Sequence, residues 1–173
     1  MTVTECNVPA SSVLDRALID GADFHDSYQV RLRRGELGIV DVFFAIFGHL
    51  PLLSKIVLIV RDALASLIGL EAPSASEILH VEIRSDYAVG DKIWVWPIFF
   101  IGENEIVAGR DNKHMDFRLS VLKLLDGDAM SVVVTTVCTV RNRFGRYYLW
   151  AVAPFHKRGV RRLMANAVIA KRL

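Results

Sequence analysis

The stretch Met115–Arg141, MDFRLSVLKLLDGDAMSVVVTTVCTVR, decides the fold. Asp126-Gly127-Asp128 interrupts two apolar runs, and Asp-Gly between such runs is the strongest short-range hairpin signal, because glycine accepts the left-handed backbone that a tight turn needs. Met115 to Leu125 and Met130 to Arg141 therefore read as paired antiparallel strands. In the second strand Met130, Val132, Val134, Thr136, Cys138 and Val140 share one face, and Ser131, Val133, Thr135, Val137 and Thr139 share the other, since successive strand side chains alternate. The first face is the more apolar.

Working outward, Glu105–Arg110 joins the apolar run Trp94–Ile101 through Gly102-Glu103-Asn104, and Pro97 marks that run as an edge or bulged strand. Asp111-Asn112-Lys113 and Tyr87–Asp91 read as turns, Ile78–Arg84 as a short strand, and residues 71–76 as a loop. Towards the N-terminus, Tyr28, Val30 and Leu32 alternate with polar residues in a strand over His25–Arg33, which Gly35 closes. Two helices fit Leu37–Phe47 and Leu52–Leu70, the second with Pro51 at its first turn and Gly69 near its end. Downstream, Asn142–Gly145 turns the chain into a terminal helix over Arg146–Lys171, which Pro154 should kink or divide. The order is strand, two helices, a run of antiparallel strands and a long terminal helix. It specifies an α+β fold with helices on one face of a curved antiparallel sheet. A single domain over residues 1–173 is expected, with about the first 20 residues peripheral.

The 173 residues suffice to bury a core without disulfides or metals. A hydrophobic fraction of 53% and mean hydropathy of +0.34 exclude disordered and collagen-like classes. Residues 37–60, LGIVDVFFAIFGHLPLLSKIVLIV, approach the length of a membrane span, but Asp41, His49 and Lys55 are costly in a bilayer and Gly48–Pro51 breaks the run. They read as two buried helices, so a transmembrane span is not expected. Cys6 and Cys138 form no CxxC pair, and the N-terminus lacks the basic and apolar regions of a signal peptide. A reducing cytoplasm is the expectation.

The formal net charge of +2 conceals a split. Residues 1–140 carry 12 basic and 19 acidic side chains, whereas residues 141–173 carry nine basic and no acidic ones. Such asymmetry asks for an anionic partner or an internal counter-surface, and Asp86, Asp91, Asp126 and Asp128 lie in loops suited to the second role. Nucleic acid is not expected, because the rest of the chain is net acidic and no binding motif appears. Peripheral contact with an anionic membrane through the basic helix stays open.

Three segments resemble the family called domain of unknown function 2867: Ala22-Asp23-Phe24-His25-Asp26-Ser27-Tyr28, Asp111-Asn112-Lys113-His114-Met115-Asp116-Phe117-Arg118, and Arg141-Asn142-Arg143-Phe144-Gly145-Arg146-Tyr147-Tyr148 with Pro154-Phe155-His156. The similarity spans roughly residues 22–165. The element order is similar to that of the START-like and polyketide-cyclase-like superfamily. The resemblance implies a helix-grip fold, a curved sheet wrapped around a long C-terminal helix, and no established activity. Trp94-Val95-Trp96-Pro97 is more aromatic than that pattern suggests.

The densest polar cluster holds Asp111, His114, Asp116 and Arg118. On a strand His114, Asp116 and Arg118 share a side, either as a stripe holding an anionic or carbonyl ligand or as a solvated face opposite Met115, Phe117, Leu119 and Val121. His-x-Asp is half of a metal site, but His25, His49, His80 and His156 supply no diagnostic second ligand. Tyr148 and Phe155, seven apart, share a helical face. In a helix-grip protein Tyr148 and His156 would belong to the polar lining of a cavity. GxSxG, GxGxxG, P-loop and HExxH motifs are absent, so no cofactor or metal is expected.

The sequence does not specify a reaction. It favours a protein that binds a small apolar or amphipathic molecule between sheet and terminal helix, with His114, Asp116, Arg118, Tyr148 and His156 as candidate ligand contacts. The alternatives are an enzyme of cyclase, dehydratase or isomerase type in the same cavity, or a membrane- or partner-binding module using the basic helix. The oligomeric state is not legible.

Overall fold

The computed structural model describes residues 2–50, 75–79, 83–84, 86–127 and 129–173. The elements run β1 (Thr4–Glu5), α1 (Arg16–Asp20), β2 (Phe24–Arg31), α2 (Ile39–Phe47), α3 (Ala75–Leu79), β3 (Lys92–Ile93), β4 (Trp96–Ile101), β5 (Glu105–Asp111), β6 (Met115–Asp126), β7 (Ala129–Val140) and α4 (Arg143–Ile169). Among the described residues seven strands form one antiparallel sheet in the order β1-β2-β7-β6-β5-β4-β3. Its curved inner face carries α4, which makes this a helix-grip fold of the α+β class.

The β6–β7 hairpin is the spine of the sheet. Its register runs from Met115 opposite Val140 to Asp126 opposite Ala129, and Gly127 takes the left-handed φ of 61° that the turn requires. The alternation on β7 places Val132, Val134, Thr136 and Cys138 on the inner face. There Val132 and Val134 join Tyr28, Val30, Val121, Leu119 and the apolar side of α2 in the main core. Within α2, Val42, Phe43, Phe44, Ile46 and Phe47 are all buried, and each such side chain stabilises by about 1.5–3 kcal/mol relative to exposure.

The outer face is covered too. Leu14 from the N-terminal segment packs on Val107 and Val137, and buried Glu105 accepts hydrogen bonds from Ser12 Oγ (2.7 Å), the Val13 amide (2.8 Å) and Ser120 Oγ. Ser131, Val133, Thr135 and Val137 are buried on the face that looked half-polar in sequence.

Several expectations change. Ile78 and Leu79 belong to α3 rather than to a strand, an ambiguity inherent in short apolar runs. Trp94 and Val95 form the two-residue turn of the β3–β4 hairpin, whose register pairs Ile93 with Trp96, so the strand begins two residues late. A shift in the β4–β5 register falls between Ile98 and Phe100. Pro154 does not divide the terminal helix, which is continuous over 27 residues. Pro154 and Trp150, whose carbonyl loses its partner at position 154, both lie on the exposed side. The expected helix at Leu52–Leu70, His80 and Asp128 lie outside the described residues. No helix among the described residues is long and apolar enough to cross a membrane.

Candidate functional site

Helix α4 starts where the sequence placed a turn. Asn142 is its N-cap, with Oδ1 accepting from the Gly145 amide at 3.1 Å. Asn142 Nδ2 donates to the Lys113 carbonyl (2.9 Å) and lies 2.9 Å from His114 Nδ1, so one side chain ties the helix to the β5–β6 turn. Gly145 is obligatory there for space: a Cβ would sit 2.2 Å from the His114 carbonyl oxygen. The helix therefore leaves the sheet edge at a fixed point and crosses the inner face.

Tyr148, Val152, His156 and Val160 recur every four residues and so form one inward stripe. They do not fill the space above the sheet. A cavity of about 320 Å³ remains between this stripe, Phe117, Leu119 and Cys138 on the sheet, and Phe47 and Trp96 at one end. Trp94 closes part of the wall with a backbone φ of 54°, uncommon for a residue other than glycine and a form of strain that concentrates at functional sites. Its buried Nε1 has no hydrogen-bond partner among the described residues.

The polar residues of the wall sit in two places. At one mouth, the His114 ring lies 4.7 Å from Phe144, and Arg110 Nη2 donates to the Val95 carbonyl at 3.0 Å. Deeper, His156 Nε2 is 2.9 Å from Thr136 Oγ1 and meets the edge of Phe24 at a centroid distance of 6.0 Å. Behind His156, out of the cavity itself, lies Asp26, whose Oδ1 is 3.8 Å from His156 Nε2. Burial, reinforced by the Asp26 charge, pushes the Cys138 thiol up to about 12 and the Tyr28 phenol up to about 12. Neither ionises near neutrality.

Of the residues singled out from sequence, His114, Tyr148 and His156 line the cavity. Asp116 and Arg118 do not. They project from the outer face, where Arg118 binds both oxygens of Asp111 and covers the Phe99 ring at 3.6 Å, and Asp116 is held by Arg141 at 2.7 Å. The hydrogen bond from Arg118 holds the Asp111 carboxyl below its usual value. His114 parts from them because it precedes β6, in the turn where alternation does not yet apply. Asp26 was missed, although it shares the strand parity of Tyr28, Val30 and Leu32.

Two of the acids expected to face the basic helix, Asp86 and Asp91, are engaged elsewhere. Arg141 pairs with Asp116, and Arg146 lies 3.8 Å from Asp23, whereas Asp86 and Asp91 both bind Arg84. Among the described residues no cluster of three His, Cys, Asp or Glu side chains is arranged to hold a metal ion.

Residues 18–163 match the model of a family described as "Protein of unknown function (DUF2867)". No curated protein and no solved structure matches the chain significantly.

Proposed function

Because the chain belongs to that family of unknown function, its role is to be read from its own cavity, and we propose that it binds a small apolar or amphipathic molecule between the sheet and α4. The observation that carries this reading is the unfilled space of about 320 Å³ under a 27-residue helix. Interiors are normally packed to crystal density, and ligand pockets begin at about 300 Å³ with apolar walls and a few polar groups. His114, Tyr148 and His156 would be those groups. The helix-grip architecture supports a place in the START-like and polyketide-cyclase-like superfamily, and the free thiols of Cys6 and Cys138 suit the cytoplasm. An acid–base enzyme in the same cavity would draw on His156 or His114.

Native mass spectrometry of detergent-free protein, with titration of the fluorescent probe N-phenylnaphthylamine, tests the reading. We expect a co-purifying small molecule or micromolar probe binding, abolished by filling the cavity with Ala153→Phe. A protein that carries nothing and binds no apolar probe would overturn it.

One observation favours a second reading. Tyr147, Trp150 and Phe155 are 73%, 80% and 74% exposed on α4, among Arg143, Arg146, Lys157, Arg158, Arg161 and Arg162. Aromatic and basic residues on one helical face suit the surface of an anionic bilayer, where each basic residue contributes about 1 kcal/mol. Co-sedimentation with phosphatidylserine-containing vesicles, reduced by Trp150→Ala and absent with phosphatidylcholine alone, is the expected result; equal sedimentation with both would dismiss it.

A further inference from the structure

Asp26 is the least satisfied group in the described part of the molecule. Its side chain is 1% exposed, and neither carboxylate oxygen has a well-formed hydrogen bond among the described residues, the Tyr28 phenol being a weak donor to it. A buried carboxylate without donors is unfavourable unless a proton or cation is delivered to it. The neutral Tyr28 phenol can donate to it weakly, and His156 is placed to bring it a positive charge. Asp26 stands directly across from Thr136 in the β2–β7 register, and His156 reaches down from α4 to Thr136 Oγ1 at 2.9 Å and to Asp26 Oδ1 at 3.8 Å. The other charged and titratable groups nearby are neutral or lie over aromatic rings. Lys157 Nζ lies over the Phe24 ring at 5.4 Å and the Arg161 guanidinium over Tyr28 at 5.8 Å, and Tyr28 and Cys138 stay protonated.

A carboxylate facing one imidazole nitrogen favours the tautomer that carries its proton on that nitrogen. In His156 this is Nε2, which also lies 2.9 Å from Thr136 Oγ1, an atom able to accept from it, so Nδ1 is the basic atom. His156 lines the cavity and Asp26 sits behind it. We infer that Asp26 and His156 are a proton-accepting pair serving the cavity, whose ligand is an apolar molecule bearing an acidic hydroxyl: a carboxylic acid, a phenol or an enol. The ligand O–H bond breaks, an N–H bond forms at His156 Nδ1, and the electron pair stays on the ligand oxygen. The imidazolium then supplies the ion pair that a neutral ring at 3.8 Å does not. No further reactant is required. His156 touches the ligand, and Asp26 acts through it as a positioning residue. The inference rests on the cavity reading above and adds the chemistry of what is bound.

Isothermal titration calorimetry with decanoic acid, 2-naphthol and their methylated counterparts, methyl decanoate and 2-methoxynaphthalene, tests it in wild type, Asp26→Asn and His156→Gln. Wild type is expected to bind each acidic probe about ten- to a hundredfold more tightly than its methylated form, the range of a hydrogen bond to a charged group. Repeating the titration in buffers of different ionisation heat separates the sources. Decanoate, ionised at neutral pH, takes up about one proton on binding, and the naphthol, protonated there, takes up none. Both variants should bind acidic and methylated probes alike. Nitrogen-15 NMR of wild type alone adds a readout that does not depend on the variants folding. His156 should be the Nε2–H tautomer when free and doubly protonated with 2-naphthol bound. Equal affinity for acidic and methylated probes in wild type, survival of the preference in either variant, or an Nδ1–H tautomer would overturn the pair while leaving the cavity reading intact. If the methylated probes also fail to bind, the cavity reading falls and takes the pair with it.

Discussion

Replacing Asp26 by Asn should make the protein more stable. The carboxylate is buried, its oxygens have no well-formed hydrogen bond among the described residues beyond a weak one from the Tyr28 phenol, and the nearest group able to carry a positive charge is His156 Nε2 at 3.8 Å, beyond hydrogen-bonding distance. An unsatisfied buried polar group costs roughly 1–3 kcal/mol and a charged one more. Asparagine keeps the shape and removes the charge, so about 1–3 kcal/mol should be recovered. For a chain of 173 residues each kcal/mol moves Tm by about 3 °C, which gives a rise of roughly 3–9 °C. Calorimetric or circular-dichroism melts of ligand-free protein at pH 8.5, above the ordinary imidazole range, measure it. A fall in Tm at pH 8.5 would mean that the folded protein already satisfies this carboxylate, and the reasoning from an orphaned group would be wrong.

Two glycines of α4 should respond with opposite signs. Gly145→Ala drives a Cβ to 2.2 Å from a backbone oxygen and should destabilise by about 1–3 kcal/mol, whereas Gly159→Ala meets nothing within 4 Å and should stabilise by about 0.5–1 kcal/mol; denaturant midpoints decide both. Cys138, with its thiol pushed up to about 12, should resist iodoacetamide at pH 8 until the protein is unfolded, and peptide mass spectrometry would show early labelling if the site opens. The hydrogen bond from Arg118 holds the Asp111 carboxyl below its ordinary value of 3.8, so its contribution to stability is complete above that value and lost as pH falls through the folded midpoint. Carbon-13 NMR should find that midpoint below 3.8 in wild type and restored by Arg118→Met.

What the sequence made legible follows from the physics of periodicity. Period-two alternation with Asp-Gly between the runs gave β6 and β7 to within a residue or two, and Tyr28, Val30 and Leu32 gave the inner face of β2. Where periodicity stops, so did the reading. His114 precedes its strand, and its orientation is set by Asn142 and Phe144 from an element 28 residues away. The turn at Trp94–Val95 carries no glycine, asparagine or aspartate to announce it, because the aromatic wall of the cavity is built there against local preference. The burial of Val137 on the outer face depends on Leu14 of the N-terminal segment, which Glu105 holds across more than 90 residues. Asp26 was hidden by its neighbours. Between His25 and Ser27 a carboxylate reads as one more polar residue, although the parity of the strand already assigned it to the inner face.

That parity links the fold to the candidate site. Register in a sheet with a buried face is strongly specified, because a slip of one residue turns every side chain to the opposite side. In β2 the register that buries Tyr28 and Val30 under α4 is the one that sets Asp26 opposite Thr136. Slipped by one, the strand would expose its apolar residues and direct His25 and Ser27 at the helix instead. The apolar residues thus supply the free energy that holds an unfavourable carboxylate in place. On the helix side, the four-residue spacing that turns Val152 and Val160 inward to the cavity also turns His156 inward. Neither half of the pair has to be favourable in its own right, since each is carried inward by hydrophobic residues two or four positions away.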